Sequence, residues 1–392
     1  MKFLEEIKVK GKIVFLRVDF NVPLDENLNI RDDTRIKASL PTIKYLLEKG
    51  AKLIVASHLG RPKGQFNPKM SLKPVAIRLQ QLLAGTKIIM APDVISGEVN
   101  KLKAELKEGQ LLLLENVRFY QQETDNDPEF SRKLAEGCEV FINDAFGSCH
   151  RAHASVVGIA SYLKEKAAGY LLKKEVNYLS KITHNPEKPY VAILGGAKIE
   201  DKIPVLESLV NKADAVLVGG AMAYTFLKAQ GKALGKSLVE DDKLEIARKI
   251  MKKAEENKIK FLLPLDHVLA PSIKSQQAAQ IAASYPLPAD LMGVDIGPKT
   301  IEEYRQQIKA ARTIFWNGPL GVFEVETFSR GTIEIAKAVA ESGALSVVGG
   351  GDSIAAIQKA GVADKISHLS TGGGASLEFV AYGTLPGIEA LE

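Results

Sequence analysis

Residues 13–23 read IVFLRVDFNVP, a short apolar run that is followed at once by polar residues and a proline. Similar runs recur along the chain, and longer amphipathic segments separate them. Short apolar runs alternating with helical patterns predict parallel strands that are covered by helices on both faces. The predicted strands are 13–18, 53–56, 111–114, 140–142, 191–194, 215–218, 261–263, 313–316 and 345–348.

Helical patterns occupy 35–48, 243–255 and 331–341, and Asp127 followed by Pro128 predicts the start of a further helix. A chain of 392 residues exceeds one typical core, so more than one domain is expected. Residues 171–182 (LLKKEVNYLSKI) read as a polar helix that ends in a turn-rich stretch. The sequence therefore predicts an α/β fold with two doubly wound parallel-sheet domains, 1–170 and 185–376, joined by a helix at 171–184.

The charge balance is mild, with 52 Lys and Arg against 47 Asp and Glu, a net charge of +5. This excess does not indicate nucleic-acid binding without a localised patch. Eight arginines lie between Arg17 and Arg151 and only four lie beyond, which hints at an anion site in the first half, although composition alone favours surface solubility as the explanation. Two cysteines, no secretory signal and no apolar run of membrane-spanning length predict a soluble cytoplasmic protein without membrane partners.

Ligands of open parallel sheets bind beyond the carboxyl ends of the strands. In the first half of the chain, the residues at those positions are polar and basic. Arginine forks suit phosphate and carboxylate, and histidine and amide groups suit a hydroxyl. Each residue alone is more often a turn former or a surface group, so their joint placement carries the prediction. The candidates for binding a small phosphorylated acid are Asp19, Asn21, Arg35, His58, Arg61, Arg118 and Arg151.

The second half has glycines after its strands instead of arginines. Backbone N–H groups of glycine turns can approach phosphate oxygens closely, although tight packing explains most single turns. Lys198 and Lys202, four residues apart, are expected to share one helical face and to reach the same phosphates. Walker and dinucleotide-binding motifs are absent, which argues against those two classes. The nucleotide candidates after the strands are Gly219, Gly220, Asn317, Gly350, Gly351, Asp352 and Ser353.

Asp352 has two readings on the sequence alone. It is a candidate Mg²⁺ ligand, because Mg²⁺ on a nucleotide usually takes one or two carboxylates in addition to phosphates. It is equally well the N-cap of the helix that follows.

Five segments resemble the phosphoglycerate kinase family in the same order along the chain: 17–23 (RVDFNVP), 57–62 (SHLGRP), 195–198 (GGAK), 316–319 (WNGP) and 370–376 (STGGGAS). The resemblance implies two Rossmann-like domains, with residues 377–392 packing back on the first, and a monomer. It implies reversible Mg²⁺-dependent phosphoryl transfer from 1,3-bisphosphoglycerate to ADP, which gives 3-phosphoglycerate and ATP.

The resemblance also assigns roles. The arginine-rich set named above would bind phosphoglycerate, and Lys198, Lys202, Gly293, Glu324 and residues 350–353 would bind the nucleotide. Glu324 would contact the ribose, Asp352 would bind Mg²⁺, and Arg35 and Lys198 would steady the moving phosphoryl group as the catalytic pair.

The expected mechanism is direct in-line transfer with domain closure and without a general base. Two other classes remain open on the sequence: a kinase acting on another small carboxylate, and a non-enzymatic protein that binds nucleotides or nucleic acid.

Overall fold

The computed structural model describes residues 1–275, 277–278 and 280–392. The strands of this part of the chain are Ile13–Arg17 (β1), Lys52–Ala56 (β2), Ile88–Met90 (β3), Leu111–Leu113 (β4), Val140–Asn143 (β5), Glu165–Ala168 (β6), Tyr190–Leu194 (β7), Ala215–Val218 (β8), Lys260–Leu262 (β9), His267–Ala270 (β10), Gln280–Ala282 (β11), Met292–Ile296 (β12), Thr313–Asn317 (β13), Leu345–Gly349 (β14) and His368–Ser370 (β15).

The α-helices are Thr34–Glu48 (α1), Lys73–Leu82 (α2), Gly97–Glu105 (α3), Gln121–Thr124 (α4), Pro128–Ala135 (α5), Tyr170–Thr183 (α6), Ile203–Leu209 (α7), Met222–Ala229 (α8), Leu244–Glu256 (α9), Pro298–Ala310 (α10), Arg330–Glu341 (α11), Gly351–Lys359 (α12), Gly374–Tyr382 (α13) and Pro386–Glu389 (α14). Among the described residues, no helix combines the length and the apolar character that a membrane span requires.

The first compact unit comprises Met1–Asn177 and Thr384–Glu392. Its six strands are parallel, in the order β3-β4-β2-β1-β5-β6. Val14 and Leu16 of β1 pack with α1 and α2 on one face, while Phe15 is fully buried on the other. Burial on both faces explains why this strand is a continuous apolar run.

The second unit is Tyr178–Gly383 and contains a second parallel six-stranded sheet, in the order β15-β14-β13-β7-β8-β9. Ile314 and Trp316 of β13 pack in a core that α10, α11 and α12 cover, and Phe315 between them is also buried. The predicted class, two doubly wound α/β domains joined by a helix, is confirmed. The nine predicted strands are present with bounds shifted by at most one residue at either end.

The strands β3, β6 and β15 were missing from the prediction, as was a separate antiparallel sheet with the order β11-β10-β12 in the second unit. Each missed strand of the parallel sheets has three or four residues and lies near a sheet edge, so its apolar signal is short. The β6 residues read EKAA, which carry little strand propensity of their own.

Helix α6, Tyr170–Thr183, lies at the position of the predicted connecting helix 171–184, with each end one residue earlier, and it belongs in part to each unit. Its first turn is held by the segment after β5, because Asp144 Oδ1 accepts the Leu172 N–H at 3.1 Å. The Tyr170 N–H donates to Thr42 Oγ1 at 2.9 Å. Burial raises the pKa of Asp144 to about 7, so this carboxyl group is costly to ionise in the folded chain.

The end of the chain divides differently from the expected 377–392 tail. Helix α13 packs on α7 inside the second unit, and Ser208 Oγ donates to the Val380 carbonyl oxygen at 3.2 Å. Only Thr384–Glu392 belongs to the first unit. There Asn143 Nδ2 donates to the Gly387 carbonyl oxygen at 3.3 Å. The predicted division of the two ligands between the domains stays a prediction.

Candidate active site

The sheet order of the first unit reverses between β1 and β5, which makes the carboxyl ends of these strands the expected ligand crevice. Asp19 follows β1, and its Oδ2 pairs with Arg35 Nη1 in an ion pair. Gly147 follows β5, and a Cβ there would lie 2.7 Å from Asp19 Oδ2. Only glycine therefore allows this loop to approach the ion pair so closely.

A second set of contacts links two more of the predicted residues, Asn21 and Arg118, to Asp19. The Gly60 N–H donates to Asn21 Oδ1 at 2.9 Å, and Arg118 Nη1 donates to the Gly60 carbonyl oxygen at 3.0 Å. The Asn21 N–H in turn donates to Asp19 Oδ1 at 3.1 Å. These bonds tie the loops after β1, β2 and β4 to one another.

His58 is nearly fully buried after β2, and Arg17 Nη2 lies 3.2 Å from its Nδ1. Since a guanidinium can only donate, Nδ1 accepts, and the proton of the neutral ring is on Nε2. Burial, and then the neighbouring arginines, hold the pKa of His58 well below its usual value. His58 is therefore a neutral hydrogen-bonding group.

Arg17 is fully buried and was not among the predicted site residues. Its Nε donates to Ser155 Oγ at 2.7 Å, and Ser155 Oγ donates to the buried Glu123 carboxylate at 2.6 Å. A buried arginine needs such a compensating network. The network holds the Arg17 guanidinium in place beside His58.

A cavity of about 400 Å³ in the first unit collects three of the predicted arginines, Arg61, Arg118 and Arg151. His153 also lines this cavity. The sequence analysis missed it, although it follows β5 as Arg151 does. Burial is the largest cause that lowers the pKa of Arg118 to about 10 and that of His153 to about 3. Burial therefore disfavours the charged form of both side chains, and it leaves His153 neutral at physiological pH.

Two buried nitrogens of this cavity's lining residues, Arg118 Nε and His153 Nδ1, find no hydrogen-bond partner in the described part of the chain. Both nitrogens are themselves inaccessible to solvent, and Glu123 Oε1 lies 3.9 Å from His153 Nδ1. The structure thus joins Arg61, Arg118 and Arg151 at one cavity. Asp19, Asn21, Arg35 and His58 are not part of its lining.

In the second unit the sheet order reverses between β7 and β13, and glycine loops follow both strands. A Cβ on Gly195 would lie 2.1 Å from the Pro319 carbonyl oxygen, so the two loops pack backbone against backbone. The Gly196 N–H donates to that same oxygen at 2.8 Å. These contacts define one side of a slot at the strand ends.

The slot has a volume of about 380 Å³ and apolar walls that include Leu238, Val294, Leu320 and Val322. Four of the predicted nucleotide residues line it: Gly220, Gly293, Glu324 and Asp352. The sheet β11-β10-β12, which the sequence analysis missed, contributes residues 292–296 to this lining. An apolar slot with a few polar groups is typical of a site for a planar ligand such as a nucleotide base.

Several predicted nucleotide residues hold the loops instead of lining the slot. Asn317 Nδ2 donates to the Gly349 carbonyl oxygen at 2.8 Å, and the Gly318 N–H donates to Ser353 Oγ at 2.6 Å. Gly219 packs against Leu320, where a Cβ would lie 2.5 Å from a side-chain carbon. Gly350 and Gly351 are also absent from the lining residues of the slot.

The prediction that Lys198 and Lys202 share a helical face is wrong. Helix α7 begins only at Ile203, with Pro204 in its first turn, so Lys198 is in an exposed loop and Lys202 ends a short 3₁₀ turn. Proline favours the first turn of a helix and cannot continue one from earlier residues. Lys202 still approaches the glycine loop, since its Nζ lies 3.5 Å from a Cβ built on Gly196.

Asp352 is the second residue of α12, whose N-cap is Gly350, so the reading of Asp352 as an N-cap is wrong. Its carboxylate lines the slot and favours the charged form of Lys202, against the burial that lowers the pKa of that lysine. Among the described residues, no group of three or more His, Cys, Asp or Glu side chains could hold a metal ion. A cation here would need ligands from a bound molecule.

Two doubly wound domains, one with an arginine-lined cavity and one with a glycine-walled slot beside a lysine and a carboxylate, define an α/β phosphotransferase. The family model "Phosphoglycerate kinase" matches residues 4–382. The chain is 56% identical to the phosphoglycerate kinase of Koribacter versatilis over 99% of this chain and 98% of that protein. It is 53% identical to the cytosolic phosphoglycerate kinase of Triticum aestivum, over 99% of this chain and 97% of that one.

The solved structure of phosphoglycerate kinase from Coxiella burnetii superposes with a TM-score of 0.89 at 42% identity and covers 99% of this chain and 97% of its own. The chain therefore belongs to the phosphoglycerate kinase family. The resemblance predicted from the sequence motifs is confirmed.

Proposed function

We propose that this chain carries out the reversible, Mg²⁺-dependent transfer of a phosphoryl group from 1,3-bisphosphoglycerate to ADP, by direct in-line displacement. The family is that of a glycolytic kinase whose acceptor is a carboxyl group. The observation that carries the proposal is the cavity in the first unit, which Arg61, Arg118 and Arg151 line together. A phosphorylated acid supplies the anionic oxygens that guanidinium groups bind.

The phosphoglycerate would bind to Asp19, Asn21, Arg35, His58, Arg61, Arg118 and Arg151. Arg61, Arg118 and Arg151, which already line one cavity, would bind the phosphate that is not transferred. Asn21 and His58 would hydrogen-bond to the hydroxyl and the carboxyl group of the ligand. Each of these two side chains is uncharged and is held in a fixed position by a hydrogen bond of its own. His153 joins this set as a residue that the sequence alone did not indicate.

The nucleotide would lie in the slot of the second unit. Its base would contact the apolar walls and Gly293, and its ribose hydroxyls would donate to Glu324. Its phosphates would extend towards Lys198, Lys202 and the loop before α12. Gly219, Asn317, Gly350, Gly351 and Ser353 would act by holding the loops that present backbone N–H groups.

The residues present fit a Mg²⁺ ion that is held mainly by the nucleotide phosphates. Asp352 offers one carboxylate in the lining of the slot. The N-cap of its helix is Gly350, so the Asp352 side chain is not needed as a cap. When bound, Mg²⁺ supplies charge neutralisation between phosphate oxygens. Asp352→Asn should raise the Mg²⁺ concentration needed for half-maximal rate, whereas an unchanged Mg²⁺ dependence would exclude Asp352 as a ligand.

The chemistry needs no general base, because an acyl phosphate is a good donor and the carboxylate in the reverse direction has no proton to lose. His58 fits this scheme, since its low pKa keeps it neutral and its Nε2 can only donate. Arg35 and Lys198 would neutralise the charge on the transferring group. Since each substrate is assigned to its own domain, in-line transfer requires domain closure.

The decisive experiment is an assay of ATP-dependent phosphorylation of 3-phosphoglycerate, run beside a panel of other small carboxylates. Turnover confined to another acid would contradict the proposed substrate. Binding of polynucleotide that weakens with salt would favour a nucleic-acid protein instead. A cytoplasmic monomer is also proposed, with support from the wheat relative that is named cytosolic.

A further inference from the structure

Three buried or half-buried side chains at the nucleotide slot form a hydrogen-bonded relay that the mechanism above does not use. His267 Nδ1 lies 3.1 Å from the Tyr224 hydroxyl oxygen, and His267 Nε2 lies 2.8 Å from the Tyr285 hydroxyl oxygen. Tyr224 comes from α8, His267 from β10, and Tyr285 from the segment after β11. The relay therefore joins three separate elements around one imidazole.

The neutral imidazole of His267 can hydrogen-bond to both tyrosines at once. His267 is almost completely buried, and burial lowers its pKa to about 4, so the ring is neutral at physiological pH. A neutral imidazole has one donor and one acceptor nitrogen, and a phenol can donate or accept. Both bonds can therefore form together, and the Tyr224 hydroxyl has a fixed position.

That fixed hydroxyl lies directly against the strand that lines the slot. A Cβ built on Gly293 would lie 1.5 Å from the Tyr224 hydroxyl oxygen, so this oxygen occupies the space that a side chain would take. The Gly293 N–H donates to Ser237 Oγ at 3.0 Å, which holds the strand from its other side. Tyr224 and Gly293 both line the slot.

We infer that His267 is a positioning residue for the nucleotide: through Nδ1 it holds the Tyr224 hydroxyl against Gly293 and so sets the width of the base slot. The inference rests on the proposed function, in which this slot holds the base. His267 makes no contact with the nucleotide in this scheme. Its effect reaches the base only through the tyrosine.

Two amide substitutions separate the two nitrogens of the ring. In His267→Asn the amide is near the position of Nδ1, so the bond to Tyr224 is kept and the bond to Tyr285 is lost. In His267→Gln the amide is near the position of Nε2, so the opposite bond is lost. Tyr224→Phe removes the hydroxyl itself, and the double variant of Tyr224→Phe with His267→Gln tests whether the two act as one unit.

The measurements are the dissociation constant of ADP by calorimetry, the KM values for both substrates, kcat, and the Tm of each variant. Tyr224→Phe and His267→Gln should each weaken ADP about tenfold, the scale of one buried hydrogen bond. The double variant should be no weaker than either single variant, and His267→Asn should restore most of the affinity. The KM for 3-phosphoglycerate should change less than about twofold in all four variants, because the site in the first unit is untouched.

Equal ADP affinity in His267→Gln and His267→Asn, or additive losses in the double variant, would overturn the inference. The inference would also be overturned if kcat fell while ADP affinity stayed constant. Failure of the proposed function gives a different result, since the wild-type protein would then not phosphorylate 3-phosphoglycerate. ADP binding by calorimetry tests the relay in either case.

Discussion

The substitution Gly293→Ala tests the geometry of the nucleotide slot most directly. The added methyl group would lie 1.5 Å from the Tyr224 hydroxyl oxygen, whereas ordinary contact begins near 3.4 Å. The new methyl group or the Tyr224 hydroxyl must therefore move by about 3.4 − 1.5 = 1.9 Å. A displacement of this size breaks the 3.1 Å bond between Tyr224 and His267.

Two costs follow from that displacement. Overpacking a close-packed site costs about 1–3 kcal/mol, and the loss of one buried hydrogen bond costs a further 1–3 kcal/mol or so. We expect the free energy of unfolding to fall by about 2–4 kcal/mol within these limits. The KM for ADP should rise about tenfold or more, because the displaced ring narrows the slot or opens its wall.

The assay is steady-state kinetics with each substrate varied in turn, together with urea unfolding. Gly97→Ala is the matched control, since a Cβ there meets nothing within 4 Å and the site is on α3 of the first unit. The control should keep both KM values. The reasoning is refuted if Gly293→Ala keeps its ADP affinity, or if it raises the KM for 3-phosphoglycerate as much as the KM for ADP.

Four further substitutions test the other groups. Arg118→Lys should raise the KM for 3-phosphoglycerate about tenfold and leave that for ADP unchanged, because lysine cannot reproduce the planar fork; an equal rise in both would contradict this assignment. Arg35→Ala and Lys198→Ala should each lower kcat by about a hundredfold or more. Lys198→Ala should change the free energy of unfolding by less than about 1 kcal/mol, since Lys198 is exposed. Near-wild-type turnover of either variant would remove its charge-neutralising role. Burial raises the pKa of Asp144 from 3.8 to about 7 in the folded state, so the folded chain keeps this proton over a range of pH in which the unfolded chain loses it. The free energy of unfolding should therefore fall by about 4 kcal/mol as the pH rises from about 4 to 7. Asp144→Asn should flatten that part of the stability curve in urea unfolding at several pH values, and an unchanged slope would show that Asp144 is not its source.

The strand positions, and the loops after the strands that contain the candidate site residues, were predictable because they depend on local patterns. A run such as 13–18 is almost entirely apolar because it is buried on both faces, and Asp19 follows at the carboxyl end of the strand, where open parallel sheets bind their ligands. Asp127 as an N-cap was likewise predictable, and its side chain accepts the Phe130 N–H at 2.7 Å. These features require no knowledge of distant residues.

The parts that the sequence analysis missed depend on partners far away along the chain. Arg17 reads as a strand residue, and only the fold brings Ser155 and Glu123 beside it. His267 acquires its role because Tyr224 and Tyr285, 43 and 18 residues away, converge on its ring. Spacing along the chain carries no signal for such contacts.

The sequence by itself determined the two α/β domains, the arginine-rich and glycine-rich strand ends and the family, because periodicity and motif order are local properties. Tertiary structure alone decided which candidates line a cavity. Asn317 and Ser353 became loop-holding groups, while His153 and Tyr224 came to line the cavities. The physical reason is that the direction of a side chain depends on the packing of loops from several strands, and each buried polar atom takes whichever partner that packing brings within reach.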